Sequence, residues 1–224
     1  MKDLIILGAG GLGQEIAWLA EEINATREEW NILGYLDPDS AALGQRPLGY
    51  PVLGYDSDAP KFAHAHFALG VGDPRLRRRI VEGLGPDAYQ WATLVSPTAW
   101  VHRSNSLGRG VVVGRYTDMT VNCRIGQFVM INIHVVLGHA VEIGDYSVVD
   151  PNVTINGEGR IGSTCLIGAN AFVRDVMVGD GVTVGAGSVV VKNVEPDCVV
   201  AGVPAQIIRR GAPKHTLTKT ERSE

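Results

Sequence analysis

The 224-residue chain has no apolar run near the ~20 residues needed to cross a bilayer, so no membrane span is expected. It has no excess of positive charge. Lys and Arg number 20 against 24 Asp and Glu, and the formal net charge of −4 argues against a nucleic-acid surface. Cysteine is scarce too: three, without metal-ligand spacing and without an even count for a disulfide framework. That reads as a protein of a reducing, cytoplasmic compartment. No secretory leader is expected in MKDLIILGAGG (1–11), where Lys2 and Asp3 precede a short apolar run that ends in glycines. What is plentiful is glycine, at 28 residues, and the glycines follow a pattern.

Stepping by six from Val95 lands on Val101, Leu107, Val113, Met119, Ile125, Ile131, Leu137, Ile143, Val149, Ile155, Ile161, Ile167 and Val173, all aliphatic or Met. One residue is then dropped, and Val178, Val184 and Val190 resume the series. Glycine often follows the aliphatic residue, as at Gly126, Gly138 and Gly144. Two positions earlier stands a small or β-branched residue, among them Ala99, Thr117, Cys123, Ser147 and Cys165. Large and small residues at period two read as the inward face of a short strand. Three such sides close a triangular coil of eighteen residues, and stacked coils make a parallel β-helix, with a rise of ~4.8 Å per coil. Residues 95–190 give about five coils, with Cys123 and Cys165 as core filler. Outward-pointing Val112, Val136 and Val148 then need cover, and three prisms about a threefold axis would supply it. A homotrimer is the expectation.

The front reads differently. LIILGAGGLGQEIAWLAEEI (4–23) is a short apolar strand, a loop with Gly8, Gly10, Gly11 and Gly13, and a helical pattern through Ile16, Leu19, Ala20 and Ile23. Glycines let a backbone approach a phosphate, and a helix N-terminus attracts the anion. A second strand, NILGYLDPD (31–39), reaches Asp37 at the distance where an acid meets a ribose hydroxyl. A third, AHFALGVGD (65–73), precedes a basic helix PRLRRRIVEGL (74–84), whose Arg75–Arg79 run reads as a solvated face. Residues 1 to about 90 therefore read as a Rossmann-like βαβαβ unit. It is small for a dinucleotide and better suited to a mononucleotide or nucleotide sugar. Residues 34–54 read as a loop-rich stretch that could cover such a ligand. The expected division is 1–91, 92–209 and a flexible tail over 210–224 that contains His215.

The motifs GAGGLG (8–13), GYLDPD (34–39), GVGDPRLRRRI (70–80), NIHVVLGHAVEIGDY (132–146) and AGVPAQII (201–208) together resemble the bacterial sugar O- and N-acetyltransferases. These are the sialic-acid O-acetyltransferase and UDP-bacillosamine N-acetyltransferase type. The resemblance spans residues 1 to about 209. It implies a left-handed β-helix, a cytoplasmic trimer and acetyl-CoA as co-substrate, with no metal. It implies nucleotide-sugar contacts at Gly8, Gly10, Gly11, Leu12, Gly13, Asp37, Gly72 and Asp73. By the same resemblance His139 is the general base in a crevice between subunits, and the backbone around Ala169 and Gly187 touches the co-substrate. Two departures stand out: Leu12 occupies a position where the family often has His, and Ala140 replaces the acid that follows the histidine. Without that acid, either another group orients His139 or activity is lower.

Residues eighteen apart stack, so His139 is expected between Val121 and Gly157. The missing side chain at Gly157 would leave room for a thioester, and its backbone N–H is the candidate oxyanion donor and a co-substrate contact. Two rivals remain open. His134 and His139, five apart, resemble the metal ligands of γ-class carbonic anhydrases, although Thr98 stands where a third histidine is needed. The loss of the acid at position 140 favours a non-catalytic nucleotide-sugar binder. Whether the acceptor is an amine or a hydroxyl, and which nucleotide and sugar carry it, stay open.

Overall fold

A computed structural model describes residues 1–211. Residues 212–224, with His215 and nearly all of the expected tail, lie outside the described residues. The front of the chain folds as β1 (Lys2–Leu7), α1 (Gly11–Thr26), β2 (Trp30–Leu36), β3 (Val52–Gly54), β4 (His66–Leu69), α2 (Pro74–Leu84) and β5 (Gln90–Trp91). The strands form one parallel sheet in the order β3-β2-β1-β4-β5. Leu4, Ile5, Ile6 and Leu7 of the central strand are fully buried, as a strand covered on both faces requires. The expected βαβαβ order needs a correction. β3 intervenes between β2 and β4, and only short 3₁₀ turns, not an α-helix, lie among them. The stretch read as loop thus ends in an edge strand, whose three residues are too few to show an alternation.

From Leu94 the chain winds through two-residue strands that form three sheets. The first face carries Leu94, Val112, Met130, Val148 and Leu166, the second Trp100, Asp118, Val136, Thr154 and Phe172, the third Ser106, Arg124, Glu142, Arg160 and Met177. The register advances by eighteen: Asp118 pairs with Val136 and Val136 with Thr154. Arg160, however, pairs with Met177, so the residue dropped after Val173 shortens the corner Arg174–Val176. The aliphatic series fills the core from Val113 onward. Val95, Val101 and Leu107 are only partly buried because no coil lies beneath them. The small inward residues do more than fill space. Thr117 Oγ1 donates to the Asn132 carbonyl and Ser147 Oγ to that of Gly162, each at 2.8 Å. Cys123 and Cys165 do likewise with Gly138 and Gly179 at 3.3 and 3.1 Å. Burial pushes the Cys165 thiol up to about 11, so it is filler rather than nucleophile.

The two parts meet along the first face. Ile16, Leu19 and Ile23 of α1 share a core with Leu94, Val112, Met130 and Val148. This corrects the cover assigned to the outward valines. Val112 and Val148 are 1% and 2% exposed because the chain's own front unit covers them, whereas Val136 on the second face stays 41% exposed. The basic helix needs a correction as well. Arg77 is fully buried, and its guanidinium donates to Phe128 O at 2.9 and 3.1 Å, Val71 O at 2.7 Å and Leu69 O at 3.3 Å. Burial lowers its pKa to about 9. Arg77 therefore fastens α2 and β4 to the β-helix, and Arg75 adds a bond from α2 to the Gly181 carbonyl at 3.2 Å. Nothing in the spacing RLRRR marks Arg77 as the buried one. Among the described residues no helix is long and apolar enough to cross a membrane.

Candidate active site

The prism has three edges, and the expected site residues are distributed among them. Most corner turns place a residue in the left-handed region, where the chain bends sharply from one flat face to the next. His134 (φ 57), Ala140 (φ 55), Asn152 (φ 60) and Glu158 (φ 64) are such positions. His139 and Gly157 lie on the edge between the second and third faces, directly stacked. The Glu158 N–H donates to the His139 carbonyl at 2.8 Å, and the Ala140 N–H to that of Val121 at 2.8 Å. The expected neighbours of His139 are thus in place. The use of the space is not as expected. A Cβ on Gly157 would stand 2.5 Å from His139 Nε2 and 2.7 Å from Cε1, so the imidazole itself lies across the gap that the missing side chain leaves. The room is for the ring, not for a thioester. The Gly157 N–H has no acceptor among the described residues.

Ala169 and Gly187 lie on another edge, between the first and second faces, where the Gly187 N–H donates to the Ala169 carbonyl at 2.8 Å. His134 is on that same edge, stacked on Tyr116 with ring centroids 5.1 Å apart. A full face, Val136–Leu137, therefore separates His134 from His139 within the chain. Among the described residues no three His, Cys, Asp or Glu side chains converge as metal ligands would.

The glycine loop belongs to neither edge directly. It opens α1 over the first face, beside a cavity of about 500 Å³ lined by Ala9, Gly10, Gln14, Asp37, Gln45 and Arg46. Gly10 and Gly11 face open space. Gly13 is there for packing, since a Cβ would sit 1.9 Å from the Gly8 carbonyl oxygen. Gly8 itself has φ +99, a conformation that needs glycine. Leu12 is partly buried against the front core, and Gly72 lies beside it, 3.7 Å from Leu12 Cδ2 to a Cβ position. Two acids are already employed. Asp37 accepts from the Ala9 N–H at 2.7 Å and the Asp39 N–H at 2.9 Å, which holds the glycine loop closed. Asp73 caps α2 by accepting from Leu76 N–H at 2.8 Å. Sequence reasoning missed Gln45 and Arg46 because the fold of residues 38–51, and not any motif, brings them to the cavity.

Comparison with known proteins places both parts. Residues 3–84 match the PglD N-terminal domain and residues 122–157 match the bacterial transferase hexapeptide (six repeats). Perosamine N-acetyltransferase from Caulobacter crescentus, solved as a histidine-to-asparagine mutant with CoA and GDP-perosamine, superposes with a TM-score of 0.84. It is 25% identical, over 93% of this chain and 98% of that one. The acetyltransferase domain of PglB from Neisseria gonorrhoeae, in complex with acetyl coenzyme A, gives 0.58 at 26% identity over 92% and 99%. Serine acetyltransferase of Synechococcus elongatus is 35% identical over 98 residues, 39% of this chain. The chain spans about 40% of the length of the first curated relatives it matches. The resemblance read from the motifs and the α/β-plus-β-helix fold class are both borne out.

Proposed function

We propose that this chain, a PglD-type front domain joined to a hexapeptide-transferase β-helix, moves the acetyl group of acetyl-CoA onto an amino group of a nucleotide-linked sugar. The observation that carries the reading is the pairing of an exposed imidazole with an unpaired backbone N–H, at His139 and Gly157. His139 takes the proton from the attacking nitrogen as the new C–N bond forms at the thioester carbonyl. The Gly157 N–H donates to the oxygen that gains charge. The C–S bond then breaks, and the imidazolium returns its proton to the departing thiolate. Binding two substrates in line supplies much of the rate, and no acyl-enzyme is needed.

The reading requires a second and a third copy. The first face is covered by the front domain, and the third carries Arg124, Glu142 and Arg160. The second face is uncovered among the described residues and exposes apolar side chains, Trp100 at 80% and Val136 at 41%, with Asp118 between them. Threefold packing of second faces sets the edge bearing His139 against the neighbour's edge bearing Ala169 and Gly187. The neighbour's α1, which the glycine loop opens, lies beside that edge, since Glu15 and Ile16 line a crevice with Asn132 and Ile133. Within one chain the cavity and His139 stand on different sides of the prism, and the trimer unites them. The complexes of the perosamine enzyme with GDP-perosamine and CoA support this choice of substrate classes.

The test is free-thiol release from acetyl-CoA against GDP-, UDP- and dTDP-linked amino sugars, with His139→Ala in parallel. Release with one donor sugar, reduced at least ~10³-fold in the variant, is the expected result. Full turnover by His139→Ala would overturn the assignment, and no release with any amine would point to a hydroxyl acceptor or a binder without chemistry.

A further inference from the structure

We propose that Glu158 is the positioning residue for His139, doing from the next coil what no acid at position 140 can do. The proposal rests on the reading of His139 as proton acceptor. The imidazole lies across the Cα of Gly157, the residue just before Glu158, so the ring leans along the edge toward Glu158's coil. The backbones are bonded there, Glu158 N–H to His139 carbonyl, at 2.8 Å. Glu158 and Ala140 occupy equivalent stations of the edge, with φ of 64 and 55, one coil rise of ~4.8 Å apart.

The other acids near this edge are engaged. Glu142 accepts from Arg124 at 2.8 Å, and Asp175 from Arg174 at 2.8 Å. Glu158 has no side-chain partner among the described residues, and neither ring nitrogen of His139 has one. A neutral imidazole carries one N–H and one bare nitrogen. A carboxylate that accepts the N–H fixes which nitrogen faces the substrate and steadies the imidazolium formed on proton arrival. Glu158 directly follows the glycine that the ring lies against, and its exposed carboxylate has no partner among the described residues to hold it elsewhere.

Glu158→Gln, Glu158→Ala and the double variant Ala140→Glu/Glu158→Ala test this in the full chain. We expect kcat of the single variants to fall roughly ten- to a hundredfold, with KM for acetyl-CoA within about twofold and the same oligomeric state. The ¹⁵N shifts of the His139 ring should change from one tautomer to a mixture, and the double variant should recover both turnover and the single-tautomer signature. Wild-type kcat together with unchanged ring shifts in Glu158→Gln overturns the proposal. An inactive His139→Ala beside active Glu158 variants sinks the role of Glu158 alone, whereas an active His139→Ala sinks the proton-acceptor reading beneath it.

Discussion

Gly157→Ala separates the placing of the imidazole from everything else this corner does. Gly157 is not among the positive-φ glycines, so alanine suits its backbone, and the N–H proposed as oxyanion donor is kept. What changes is one methyl group, 2.5 Å from His139 Nε2, 2.7 Å from Cε1 and 2.8 Å from Cδ2. Ordinary contact needs about 3.5 Å, so the ring must retreat by roughly 1 Å. The ring is the far end of an exposed side chain and can rotate away without moving the coil. Stability should therefore barely change, since the clash is relieved at the surface and Gly→Ala at a compatible site adds about 0.4–1 kcal/mol. Activity should change greatly: a base displaced by about 1 Å loses on the order of 10²-fold, or ~2.7 kcal/mol in the barrier. The assay is kcat/KM for thiol release beside a thermal melt. In the background of His139→Ala the same substitution should have little further effect, because the two act as a unit. Wild-type kcat/KM in Gly157→Ala would refute the reasoning, since the ring would not then work from its place over Gly157. A melting temperature lowered by more than about 5 °C would refute it too, because the clash would have been taken up by the coil.

Three further outcomes follow from the packing. Arg77→Met strips the donors from Phe128 O and Val71 O and should destabilise by roughly 2–4 kcal/mol in denaturant melts, whereas Arg79→Met on the exposed side should change stability by less than ~0.5 kcal/mol. Asp56 is raised from 3.8 to about 6, by burial first and by the Asp37 charge second, and its Oδ1 has no hydrogen-bond partner among the described residues. Its ionised form is the disfavoured one in the fold. Stability should therefore fall as pH rises from 3.8 to about 6, and Asp56→Asn should raise the melting temperature at pH 8 but not at pH 3.5. Equal effects at both values would show that the carboxyl is not neutralised by the fold. On the proposed threefold packing, Val136→Glu places a second carboxylate beside Asp118 in the middle of the second face, and light scattering should then show a monomer with unchanged circular dichroism. A trimer that persists would mean that another face makes the assembly.

Much of this protein is written locally. The six-residue series fixes the coil because each aliphatic side chain must enter the core once per turn, and the structure buries nearly all of them. The strand–glycine loop–helix of the front is legible for a similar reason, as close backbone approach tolerates only glycine at positions such as Gly8 and Gly13. Stacking by eighteen even sets His139 beside Gly157. The sequence could not show where outward side chains go, because that depends on which surface arrives from elsewhere in the chain. Val112 and Val136 look alike in the repeat, yet α1 covers one and leaves the other exposed. Arg77 and Arg79 look alike in the helix, yet Arg77 is buried against the Phe128 carbonyl of the β-helix and Arg79 is exposed. A periodic sequence determines its own interior, since that is made from its nearest repeats. Only the docking of the front domain on one face decided which outward valines are covered and which stay exposed.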